Sequence, residues 1–75
     1  MKPMNTVENT QMGARAAELV DKEPEPRQKV MAAMGLSRKL YFAWRNGESA
    51  PSARALREMA LRGMDVMYIL TGIRK

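Results

Sequence analysis

Cysteine and histidine are both missing from the 75-residue chain. Without cysteine, no disulfide can staple the fold and no thiolate can hold a metal or act as a nucleophile. Without histidine, a structural zinc site has lost both of its usual ligand types, and imidazole general-base catalysis is excluded. Aromatic residues are scarce, with one Trp, two Tyr and one Phe. No apolar run approaches the roughly 20 residues that cross a bilayer, and the N-terminus has no apolar stretch of the signal-peptide kind. Carboxylates such as Glu18, Asp21 and Glu58 fall on polar faces with no pocket-forming pattern around them. The expectation is a cytoplasmic protein that is not an enzyme and uses no membrane, metal or cofactor. The length allows one small domain with one core, held by well-packed helices to a total stability of a few kcal/mol.

What the chain does have is positive charge, unevenly placed. The net charge is +5. Residues 1–25 carry three basic and five acidic side chains, whereas residues 26–75 carry ten basic and three acidic ones. A polyanionic partner fits this excess, nucleic acid before anionic membrane. A solvated basic surface is the plainer account of the same charge.

The periodicity is helical throughout. Residues 1–10 are polar, contain Pro3 and read as a mobile tail. Thr10 stands where it would cap a first helix, with Met12, Ala16, Leu19 and Val20 on one stripe and Gly13 where a Glu would serve better. The run DKEPEP at 21–26 stops that helix, because Pro24 and Pro26 cannot sit in a helix interior. A second helix is expected from Pro26 to Met34, with Val30, Ala33 and Met34 inward and Gly35 just past its end. Ser37 caps a third helix with Leu40, Tyr41 and Trp44 inward, closed by Asn46-Gly47, both of which tolerate positive φ. Ser52 caps a fourth helix with Leu56, Met59 and Ala60 inward, closed by Gly63. Asp65 caps a fifth with Val66, Ile69 and Leu70 inward, closed by Thr71-Gly72. The fold class is therefore all-α: a tail over 1–10, a domain over 11–72 and a short C-terminal tail over 73–75.

One stretch has the form of a site. From Arg27 to Gly47 the chain reads as a short helix, a Gly-containing turn and a second helix with basic residues on one side and apolar residues on the other. That is a helix-turn-helix, which lays its second helix in the major groove of DNA. Counting Arg27 as the first of twenty, the inward positions are Val30, Met34, Leu36, Tyr41 and Trp44, and Gly35 takes the ninth place. Ser37, Arg38, Lys39, Phe42, Ala43 and Arg45 face outward. The inward spacing of Tyr41 and Trp44 favours core over base stacking, and most of the eight methionines also fall on inward stripes.

The segment Gly35–Gly47, GLSRKLYFAWRNG, resembles the recognition half of the lambda-repressor-like (Cro/CI-type) helix-turn-helix family. Pro51–Gly72, PSARALREMALRGMDVMYILTG, resembles that family's fourth and fifth helices. The combination is most like phage CI-type repressor DNA-binding domains with the pattern W-x-x-G…P…L…A…G-x-D-x-x-Y-x-L-T-G. The resemblance implies a five-helix fold and a transcriptional regulator, of phage or prophage repressor or Cro-like kind, that occupies a double-stranded DNA operator. It also implies a protein of a bacterial cell, encoded by the bacterium or by a phage. Two positions depart from the family. Met31 stands where a small residue usually lets the two helices touch, and Arg27 stands where Gln usually meets a phosphate.

Side-chain chemistry then assigns roles. Arg38 and Lys39 suit guanine O6 and N7, Ser37 a phosphate or a base edge, and Phe42, beside Ala43, a thymine methyl. Phe42 equally fits a simple surface cover. Arg27, Gln28, Arg45 and Asn46 suit phosphates, which position without reading sequence. Arg54 and Arg57 read as a solvated face. Met64, Met67, Tyr68 and Ile73 are candidates for a homodimer patch. The alternative function is a protein-interaction module of antitoxin or adaptor type, in which those residues hold a protein partner and DNA binding is secondary.

Overall fold

The computed structural model describes the backbone of residues 5–74 and the side chains of residues 11–74. Among the described residues there are five helices and no strand: α1 (Asn5–Asp21), α2 (Arg27–Ala33), α3 (Arg38–Arg45), α4 (Ala53–Leu61) and α5 (Val66–Thr71). The class is all-α, and no described helix is long and apolar enough to cross a membrane. Helix α1 starts at Asn5, so Thr10 lies inside it and does not cap it. No proline or glycine interrupts residues 5–12, and nothing local stops the helix from growing back. Residues 1–4 of the expected tail lie outside the described residues.

The remaining helix starts follow their local chemistry. Ser37 Oγ accepts from the Leu40 N–H, Ser52 Oγ from the Ala55 N–H, and Asp65 Oδ1 from the Tyr68 N–H, each at 3.1 Å. Each bond satisfies one of the amides that a helix start leaves free. Pro26 and Met34, expected as the ends of the second helix, are its N-cap and C-cap.

The core is built around α1, which lies chiefly against α3 and α5. Ala16, Ala17 and Val20 meet Val30, Met31, Met34, Leu36, Tyr41, Trp44, Ala55, Met59 and Ile69, all buried. In several helices the buried arc is rotated by about one residue from the expected stripe. Ala33, Ala60 and Leu70 are exposed, and Leu40 is 39 % exposed, whereas Met31, Ala55 and Tyr68 are buried. An i, i+3, i+4 triplet covers a wide arc, and only the neighbouring helix decides which of its edges is covered.

Two polar straps fasten the ends of this core. Arg15 donates from Nε and Nη2 to the Ile69 carbonyl, at 2.9 and 2.7 Å, tying α1 to α5. Tyr68 donates its hydroxyl to Glu18 at 2.6 Å, where Lys22 (2.9 Å) and Arg74 also converge. The Tyr68 hydroxyl, Lys22 and Arg74 together hold the Glu18 carboxyl down from 4.5 to about 2. The Arg62 guanidinium lowers Glu25 in the same direction. A carboxylate that binds its proton more weakly when folded adds stability above its ordinary pKa and loses it as pH falls. The denaturation midpoint of the wild type is expected to hold above pH 4.5 and to drop progressively toward pH 2. Glu18→Gln should lower the midpoint at pH 6 and flatten that acid slope, which urea titrations across the range would measure.

Candidate nucleic-acid interface

The junction between α2 and α3 is set by backbone chemistry. Leu36 N–H donates to the Met31 carbonyl (2.8 Å) and Gly35 N–H to that of Ala32 (3.1 Å), which closes α2 and turns the chain. Gly35 has φ +66°, a conformation that a Cβ disfavours. Helix α3 closes in the same way, with Glu48 N–H on the Ala43 carbonyl (2.8 Å) and Gly47 N–H on that of Trp44 (3.0 Å). There Gly47 has positive φ, whereas Asn46, which would tolerate it, has φ −86°.

Between these turns α3 shows two contrasting sides. Tyr41 is 1 % exposed and Trp44 0 %, both locked in the core. Ser37, Arg38, Lys39, Arg45 and Asn46 are exposed, with Phe42 and Ala43 half-buried beside them. Ser37 Oγ accepts from the Leu40 amide with one lone pair, which leaves its hydroxyl hydrogen to donate to an acceptor such as a phosphate oxygen. No acidic residue lies in the first turn of α3.

Two hollows flank the N-terminal half of α3. One, of about 230 Å³, is lined by Arg27, Gln28, Met31, Arg38, Tyr41 and Phe42. Met31 is 8 % exposed, so the position where a small residue was expected holds a buried thioether lining the space between α2 and α3. The Arg38 guanidinium lies over the Phe42 ring at 5.8 Å, and Phe42 meets Tyr41 edge to face at 5.2 Å. Arg27 is more committed than its sequence position suggested. It donates to the Tyr41 hydroxyl (3.2 Å), lies over that ring at 4.9 Å and pairs with Asp21 at 3.6 Å. Burial, then the Asp21 carboxylate, pushes the Tyr41 phenol upward, so Tyr41 stays a neutral donor to Asp21 (2.6 Å).

The second hollow, of about 180 Å³, is lined by the turn at 34–36, by Leu40 and Trp44, and by Ser52, Arg54 and Ala55 at the start of α4. Arg54, read from sequence as part of a solvated face, is thus brought beside the same end of α3 from the opposite flank. No local pattern signals this, because it depends on where α4 docks. Arg57 remains exposed and pairs with its neighbour Glu58 at 3.3 Å.

The four dimer candidates differ in exposure. Tyr68 is 8 % exposed, with its hydroxyl on Glu18, and Met64 is half-buried against the core. Met67 and Ile73 are exposed, together with Leu61 and Leu70. Tyr68 is covered because its hydroxyl meets Glu18 on α1 and the Arg74 guanidinium lies over its ring at 4.2 Å, which an i, i+3 count within α5 alone does not reveal. No protein-family model, no curated protein and no solved structure matches the chain.

Proposed function

We propose that the chain is a sequence-specific double-stranded DNA-binding transcriptional regulator of the lambda-repressor-like kind, placing α3 in the major groove of an operator. The observation that carries this reading is the division of α3: one side is sealed in the core by Tyr41 and Trp44, while Arg38 and Lys39 are exposed at its N-terminal end. Arg27 and Gln28 on one flank and Arg54 on the other frame that end with further donors. A helix roughly 10–12 Å across fits a major groove about 12 Å wide, and its N-terminal residues reach the base edges. Arg38 and Lys39 read guanine, while Arg45, Asn46, Gln28 and Ser37 hold phosphates.

Selection of bound duplexes from random DNA at physiological salt tests this directly. A defined site containing guanine supports it; binding without sequence preference sinks it. Arg38→Ala should relax selection at one position by roughly 1–3 kcal/mol of discrimination. Arg45→Ala should weaken all duplexes alike and reduce the salt slope by about one. Arg27→Ala should reduce that slope by less, because Asp21 already partners its charge.

One such module covers only roughly 600–1,000 Å² of DNA, so useful affinity calls for two copies on half-sites about 34 Å apart. The exposed Leu61, Met67, Leu70 and Ile73 suit a homodimer contact. The same four side chains favour a second reading, an antitoxin- or adaptor-type module that holds a protein partner. Sedimentation of the purified chain separates the two: a concentration-dependent dimer supports the first, and a monomer that co-purifies with a stoichiometric partner supports the second.

A further inference from the structure

Phe42 occupies the outward side of α3, yet part of its ring is engaged within the protein. It is half-buried against the core, edge to face with Tyr41 at 5.2 Å and 73°, and the Arg38 guanidinium lies over it at 5.8 Å. Tyr41 in turn is held on two sides. It is 1 % exposed, donates to Asp21 at 2.6 Å, accepts from Arg27 at 3.2 Å and carries the Arg27 guanidinium over its ring at 4.9 Å. A continuous set of contacts therefore runs from Asp21, the last residue of α1, through Tyr41 and Phe42 to Arg38 at the exposed end of α3.

An arginine that contacts two acceptors at once must hold its planar fork in one orientation, and ordering a long side chain opposes binding. A guanidinium already resting on an aromatic face has lost part of that freedom beforehand. We infer that Phe42 is a positioning residue whose ring, braced by Tyr41 and Asp21, holds the Arg38 guanidinium ready to read guanine. The inference rests on the DNA-binding reading and adds to it the device that sets its specificity. It also removes Phe42 from the residues that touch bases: a ring whose face carries a guanidinium does not offer that face to a thymine methyl.

The test compares the full wild-type chain with Phe42→Leu, Phe42→Trp and Arg38→Ala in selection from random duplex DNA, with thermal unfolding of each. Phe42→Leu keeps apolar bulk beside Tyr41 but removes the π face. It should reduce guanine preference by about two- to fivefold, the size of an exposed cation–π contact, at the one position that Arg38→Ala relaxes. The salt slope should stay unchanged, since no phosphate contact is lost, and Phe42→Trp should restore the preference. Relaxation at a thymine with guanine preference intact would show that Phe42 contacts the base itself and would overturn the inference. Selection of no site by the wild type would remove the DNA-binding reading and the inference with it. A DNA-free measurement keeps the two failures apart and needs no variant to fold. The Arg38 Nε–H proton in the wild type should show a ring-current shift, and its absence overturns the positioning role even if DNA is selected.

Discussion

Replacing Trp44 with alanine is expected to unfold most of the molecule at room temperature. Trp44 is 0 % exposed and is among the largest fully buried side chains. It lies in the cluster that joins α1, α3 and α4. Truncating a buried tryptophan costs about 3–5 kcal/mol in lost burial and residual cavity. A domain of this size without staples has only about 3–5 kcal/mol from its core to lose. Far-UV circular dichroism should show a lost or strongly depressed melting transition. Trp44→Phe should cost less, because the indole N–H has no hydrogen-bond partner among the described residues, so only volume is lost. A Trp44→Ala chain that stayed fully folded but lacked the proposed DNA binding would put the side chain on the candidate interface, against its burial.

Gly13→Ala is expected to destabilise the fold, with a sign opposite to the usual effect. In an exposed helix interior the same exchange gains roughly 0.5–1 kcal/mol, because glycine surrenders more backbone freedom on folding. Here a Cβ would overlap the Ser49 carbonyl oxygen and lie 2.9 Å from the carbonyl oxygen of Trp44. Both obstacles are backbone, so no rotamer change can clear them. Helix α1 must back away from the end of α3 and the loop behind it, at about 1–3 kcal/mol for this kind of overpacking. The urea midpoint should fall relative to wild type. A rise would mean that α1 does not approach the Ser49 carbonyl this closely.

Gly13 also shows how sequence reading fails here. Within its own turn it looked like a poor residue for the start of a helix. Its reason for being there lies at Trp44 and Ser49, more than thirty residues away in sequence by order of magnitude. Leu40, Ala60 and Leu70 were assigned inward by spacing, yet each sits at the uncovered edge of its stripe. Tyr68 was placed on the surface because the partner that covers it, Glu18 on α1, is 50 residues away in sequence. By contrast Val30, Met34, Leu36, Tyr41 and Trp44, the inward set around the turn, are all buried. Those five follow from one short motif whose two helices are connected directly, so a single count carries across both.

The candidate interface divides along the same line. That Ser37, Arg38, Lys39, Arg45 and Asn46 are exposed was legible, because α3 is amphipathic and its inward side is aromatic. That Arg27 is tied to Asp21 and Tyr41, and that Arg54 joins from α4, was not legible.

The sequence by itself determined the helical class and most of the helix ends, because a cap or a glycine turn acts on amides only two to five residues away. Ser37, Ser52, Asp65, Gly35 and Gly47 therefore act where their local chemistry requires. Tertiary structure alone decided which edge of each apolar stripe is covered, where α1 needs a glycine, and how the cations of α2, α3 and α4 are held. Those outcomes depend on contacts such as Asp21 with Tyr41 and Arg15 with Ile69, 20 and 54 residues apart, which no local periodicity encodes.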